Sequence, residues 1–114
     1  MQMARRPSPA VFISKELEDF LKRLRPDDKR KRWIDDMVSV LKENMFAGHL
    51  TDKNRIPKYY RRRCRVDNLS VYDHPEGYRS CYSIDNRDGL GACPTIWDLM
   101  SHPEYEKRFG YKKG

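Results

Sequence analysis

Residues 53–65, KNRIPKYYRRRCR, hold seven Lys or Arg side chains and no Asp or Glu. The whole chain has 24 basic and 17 acidic residues, so outside this run the balance is 24 − 7 = 17 against 17. The formal charge of +7 therefore sits in one segment. Diffuse positive charge serves solubility, but charge concentrated in this way makes a local field that draws polyanions. Tyr59 and Tyr60 lie inside the run, where an aromatic ring could stack on a base or a sugar. Solvated helix faces mix signs, as residues 27–43 do here, whereas a run of one sign beside tyrosines points to anion binding. The candidate nucleic-acid contacts are Lys53, Arg55, Lys58, Tyr59, Tyr60, Arg61, Arg62, Arg63 and Arg65.

The other chemistry-bearing residues form no metal or redox pattern. Cys64, Cys81 and Cys93 make no CxxC pair, and His49, His74 and His102 show no regular ligand spacing beside them, so neither zinc nor another cofactor is expected. Each cysteine falls in an expected strand, where a reduced thiol serves as a small hydrophobe. His49 and His74 sit beside Gly48 and Pro75 in turn-like sequence and receive no chemical role. No stretch approaches the ~18 apolar residues of a membrane span. The apolar run at residues 10–13 stops at Ser14 and Lys15, short of the about 7–15 residues of a signal peptide. A soluble, cytoplasmic protein with no membrane partner is expected.

These residues must be positioned by a single small domain, since 114 residues leave room for one. Residues 1–10 read as a flexible arm and 11–114 as the domain. Val11, Phe12 and Ile13 suit a short buried strand. Ser14 can cap a helix with Glu16 and Glu18 in its first turn and Leu17, Phe20, Leu21 and Leu24 on one face. A second helix is predicted over residues 28–46, with Trp33, Ile34, Met37, Val38, Leu41 and Met45 as its apolar stripe and Gly48 placed to end it. The period then changes to two. A strand over residues 62–73, a turn at 73–77, a strand over 78–84, a turn at 85–89 and a strand within 91–100 make a meander. A short C-terminal helix or tail follows, capped by Ser101 or His102 with Pro103 in its first turn. The order β-α-α-β-β-β predicts an α+β fold, a small antiparallel sheet with both N-terminal helices on one face.

With that order in place, the chain resembles the RelE/ParE toxin superfamily, the small toxins of toxin–antitoxin pairs. Gly77-Tyr78-Arg79-Ser80-Cys81-Tyr82-Ser83-Ile84 is similar to the family's G-Y-R-L-x-Y-x-I strand, and His102-Pro103-Glu104-Tyr105 to its H-x-x-Y ending. The resemblance covers most of residues 11–109. It implies a RelE-like messenger RNA endonuclease that works on the ribosome without metal. The ribose 2′-hydroxyl attacks the neighbouring phosphate, leaving a cyclic phosphate and a 5′-hydroxyl. The implied partners are messenger RNA, ribosomal RNA and a cognate acidic antitoxin. By the same resemblance Arg79 is the phosphate clamp, His102 a proton-transfer group and Tyr105 the ring that meets the substrate nucleotide. Lys58, or Lys53, could assist at the 2′-hydroxyl. RelE carries a second arginine where this chain has Met100, Ser101, His102 and Pro103, with Arg108 lying beyond the tyrosine.

Plainer roles stand beside these. Arg79 could pair with an acid on a neighbouring strand, His102 could serve as a helix-cap residue, and Tyr105 could pack on Phe109 four residues away. A non-catalytic RNA- or DNA-binding module of the same fold, or a ParE-like gyrase inhibitor, is the alternative function.

Overall fold

In the computed structural model, which describes residues 5–110, the first two helices form where the sequence caps them. The Ser14 hydroxyl accepts the Leu17 N–H at 3.2 Å and opens α1, Lys15–Arg23. Asp28 opens α2, Lys29–Glu43, accepting the Arg30 N–H at 2.9 Å and gripping the Arg30 guanidinium with both oxygens. This helix stops at Glu43 rather than residue 46, because the Asn44 side chain accepts the Phe46 N–H at 3.1 Å and turns the chain. Gly48 does not end the helix. A Cβ there would lie 2.7 Å from the Tyr82 ring and 2.8 Å from the Val71 carbonyl oxygen, so only glycine lets the chain pass so close to the sheet.

Five strands follow the sequence order β1 (Phe12–Ile13), β2 (His49–Leu50), β3 (Ser70–Asp73), β4 (Arg79–Arg87) and β5 (Gly91–Ile96), and α3 (His102–Phe109) comes last. They form one sheet in the spatial order β1-β5-β4-β3-β2. The α+β class holds, but the sheet is mixed rather than antiparallel. Short turns join β3 to β4 and β4 to β5, residues 51–69 return the chain to pair β3 with β2, and all three pairs are antiparallel, whereas β1, which precedes both helices, lies parallel to β5 at the sheet's edge. The expected strand over residues 62–73 survives only in its last four residues. Tyr60–Cys64 wind into one π-helical turn, closed by Arg65 in the left-handed region at φ 55°, and pairing starts at Ser70. Cys64 is therefore not a strand residue, while Cys81 and Cys93 are buried thiols in β4 and β5.

Alternation along β4 gives each face its own core. Tyr82 packs toward α1 and α2 with Leu17, Ile34, Met37, Leu41 and, from β5, Ile96. That is the helical layer the sequence predicts. Cys81 and Val71 face the opposite side, where Ile56, Tyr60, Val66, Leu69, Met100 and Tyr105 cover them. The basic segment and α3 thus form a second layer. Residues 5–8 also depart from a loose arm. Met45 N–H donates to the Arg6 carbonyl at 2.7 Å and Ser8 N–H to the Lys42 carbonyl at 2.9 Å, tying them to the end of α2. Residues 1–4 of that arm lie outside the described residues. Among the described residues no helix is long and apolar enough to cross a membrane.

His74, read as a turn residue, is buried. Its ring stacks on Trp33 (centroids 6.3 Å apart) and meets Tyr72 at 5.1 Å, with Nε2 2.8 Å from Ser80 Oγ. Burial pushes its pKa from the ordinary 6.5 down to about 4. The folded chain then binds fewer protons than the unfolded one, so this stabilisation is fully present above pH 6.5 and is lost as pH falls to 4. Urea unfolding should show about 3 kcal/mol of stability lost over that range through this one group. The His74→Gln variant should lack that part of the slope; equal slopes in the two proteins would exclude it.

Candidate active site

Arg79 begins β4 directly across from Asp73, the last residue of β3. Its backbone pairs a second time with Met100, each N–H donating to the other's carbonyl at 2.8 Å. The chain then turns at Ser101 into α3 through a capping box. Ser101 Oγ accepts the Glu104 N–H at 3.4 Å, and the Glu104 carboxylate accepts the Ser101 N–H at 2.8 Å. His102 and Tyr105, one helical turn apart, thereby stand beside Arg79. The cap belongs to Ser101, with His102 as the first helical residue.

An open cleft of about 470 Å³ lies there, walled by β2, residues 51–55, β3, the start of β4 and α3. Arg79 Nε donates to Asp73 Oδ1 at 3.0 Å, and its guanidinium carbon lies 4.5 Å from the Tyr105 ring centre. One terminal nitrogen sits 3.4 Å from His102 Nδ1. A guanidinium only donates, so Nδ1 is the accepting nitrogen of His102 and Nε2 carries the hydrogen. Nε2 in turn faces Glu106 Oε1 at 3.4 Å. On the far side, Asp73 Oδ2 lies 3.9 Å from His49 Nε2. His49, Asp73, Arg79, His102 and Glu106 therefore form one continuous polar row. With the histidines neutral, the lining holds Asp52, Asp73 and Glu106 against Arg55 and Arg79, a formal charge of −3 + 2 = −1.

Arg79, His102 and Tyr105 are brought together as expected. Arg79 does pair with an acid on the neighbouring strand, and the same pairing aims it at the cleft. Tyr105 does pack on Phe109, with ring centroids 4.4 Å apart. The buried ring meets both Phe109 and the Arg79 guanidinium, so it is a platform for the arginine rather than an open stacking surface. The basic run behaves less uniformly. Its seven cations are all exposed, but Arg55 lines the cleft while Lys53 and Lys58 are not among the side chains that do. Lys58, expected at the 2′-hydroxyl, is thus not placed at Arg79. Arg63 is paired with Glu16 at 3.0 Å, and Arg61 donates to the Lys53 carbonyl.

Tyr60 is a correction: its ring is fully buried and takes no part in base stacking. Its hydroxyl donates to Asp98 Oδ2 at 2.5 Å, while Asp98 Oδ1 accepts the Cys81 N–H at 2.9 Å. Arg108 completes this cluster. It lies 3.7 Å from Asp98 Oδ2, donates to the Tyr60 hydroxyl at 3.3 Å and covers the Tyr59 ring at 3.7 Å. Tyr59 and Arg108 are therefore occupied with each other. Burial pushes the Asp98 carboxyl and the Tyr60 hydroxyl up from their ordinary values.

Sequence reading missed His49, Asp73 and Glu106. Glu106 was visible as the i+4 neighbour of His102, and Asp73 as the partner that the hairpin register sets across from Arg79. Nothing local marked His49. Among the described residues no group of three or more His, Cys, Asp or Glu is placed to hold a metal ion. Comparison with protein-family models, with curated proteins and with solved structures finds no match. The resemblance to RelE/ParE toxins rests on this chain's own residues.

Asp98→Ala leaves the Cys81 N–H and the Tyr60 hydroxyl buried without an acceptor, and should cost about 3 kcal/mol or more in urea unfolding. Tyr60→Phe removes one of these bonds and should cost about 1 kcal/mol. If Asp98→Ala unfolds within the error of the parent protein, the cluster does not hold the second layer.

Proposed function

We propose that the chain is a RelE-like endoribonuclease that cuts messenger RNA on the ribosome and is restrained by an acidic antitoxin. The observation that carries this reading is the Arg79 guanidinium, held over Tyr105 between Asp73 and His102 in an open cleft. Attack by a ribose 2′-oxygen on the adjacent phosphorus builds negative charge on the phosphate oxygens. A cation fixed before the substrate arrives stabilises that charge without reorganising. Asp73 occupies Nε, so Arg79 meets the phosphate with its terminal nitrogens. The contact from Arg79 to His102 is long, and a phosphate can take that donor and leave His102 Nδ1 bare. A bare imidazole nitrogen beside the phosphate can accept the 2′-hydroxyl proton, a transfer to which histidine is suited near neutral pH.

The exposed cations of residues 53–65 border the cleft at Arg55, where they can hold an RNA backbone through salt-dependent phosphate contacts. The same surface suits an acidic antitoxin segment. A ribosomal substrate implies action in the cytoplasm.

Primer extension on translating ribosomes tests the reading directly. The parent protein should leave messages with 2′,3′-cyclic phosphate and 5′-hydroxyl ends, and Arg79→Ala should cut at least about a hundredfold more slowly. Arg79→Lys should not restore the rate, because an ammonium cannot keep the Asp73 and His102 contacts while holding a phosphate. Cleavage and growth arrest that survive Arg79→Ala would defeat the proposal.

A further inference from the structure

The nuclease reading leaves one proton transfer without a residue. Cleavage by 2′-oxygen attack forms the 2′-O–P bond and breaks the P–O5′ bond. One proton leaves the 2′-hydroxyl and one must reach the departing O5′. His102 Nδ1 points its lone pair at Arg79, where the phosphate would sit, and so suits the first step. A single imidazole so placed does not also face the opposite side of the same phosphorus.

His49 lies across the cleft. It stands on β2 with its side chain 82% exposed, and Asp73 Oδ2 is 3.9 Å from its Nε2. Asp73 is the residue that also holds Arg79, through its other oxygen. One carboxylate therefore holds the phosphate clamp and also faces a second imidazole across the cleft. Arg79 thus has two contacts, Asp73 with His49 beyond it and His102 with Glu106 beyond it, and all five line the cleft. The charged groups that line the cleft with His49 are Asp73 from β3, Asp52 and Arg55 from the segment after β2, Arg79 from β4 and Glu106 from α3.

Resting on the nuclease reading, we propose that His49 is the general acid of this site, the group that protonates the leaving 5′-oxygen. In its charged form both ring nitrogens carry hydrogen. Nε2–H faces the Asp73 carboxylate, and Nδ1–H is the proton given to O5′ as the P–O5′ bond breaks. His102 takes the 2′ proton in the same step, so the protein's proton count is unchanged. No water or co-reactant enters.

The test uses full-length protein with a ribosome-bound message carrying, at the position the parent protein cuts, either the ordinary linkage or a 5′-bridging sulfur. A thiolate leaves without being protonated, so the sulfur substrate bypasses a missing acid. His49→Ala should cut the ordinary message about 10²–10³-fold more slowly in single turnover. It should recover to within about tenfold of the parent on the sulfur message, and its pH–rate profile should lose the alkaline limb. Arg79→Ala should stay slow on both. Equal slowing of His49→Ala on both substrates would overturn the proposal, since it would mark a binding or structural role. So would an unchanged rate on the ordinary message. Either result, with the parent protein still leaving cyclic-phosphate ends, removes the assignment of His49 alone. Absence of such ends with the parent protein on both substrates removes the nuclease reading and this inference with it.

Discussion

The second layer of the molecule hangs on one buried carboxylate. Asp98 follows β5 and accepts from the Cys81 N–H in β4 and from the Tyr60 hydroxyl in the basic segment, with Arg108 of α3 beside it. Three pieces of chain that carry or border the cleft are thus referenced to the same two oxygens. Its side chain is only 17% exposed, so a lost donor would leave an oxygen with little water to replace it. A charge in that position is costly by itself. It is tolerated because each oxygen has a short, strong donor and a guanidinium stands nearby.

That anchor explains how seven like charges can be displayed on an ordered surface. Repulsion between solvated cations several ångströms apart is on the order of 1 kcal/mol per pair or less, and salt reduces it further. Against it, Ile56, Tyr60 and Val66 are buried from within or just beyond the run, each side chain contributing about 1.5–3 kcal/mol. The apolar residues go in and the cations are left out. The cations stay exposed on the surface, Arg63 and Arg61 with partners there, whereas the Tyr60 ring is taken up by the core. Tyr105 obeys the same logic. Its ring is spent on Phe109 and on Arg79, and what it gives the site is a fixed guanidinium.

Helix α1, the start of α2, the β3–β4 turn and the capped α3 were legible in the sequence, whereas the second turn, expected over 85–89, sits at 88–90 because Asp85, Asn86 and Arg87 pair with β5. Each depends on neighbours within a few residues. Ser14, Asp28 and Ser101 accept amide hydrogens two or three positions ahead, and no distant contact is needed to predict that. Misreadings occurred where two periods competed or where a long-range partner decided. Cys64, Val66, Leu69 and Val71 satisfy a strand pattern, yet the first two belong to a π-helical turn and a loop whose burial comes from packing on the sheet. Gly48 looked like a helix stop because the helix it follows does end nearby. Its actual requirement, room for Tyr82, lies thirty-four residues away.

By itself the sequence determined the composition of the charged segment, the helix caps, the alternation that puts Arg79 and Cys81 on one face, and the spacing that sets His102 and Tyr105 one turn apart. These are local facts, governed by chemistry within a few residues. Only the tertiary structure decided that β1 joins parallel to β5, that Tyr60 is a core residue, and that His49, Asp73, Arg79, His102 and Glu106 share one cleft. The five come from β2, β3, β4 and α3, and their meeting depends on sheet register and on the Met100–Arg79 pairing that aims α3 at the sheet. Register is a property of paired strands, and no single strand's residues carry it.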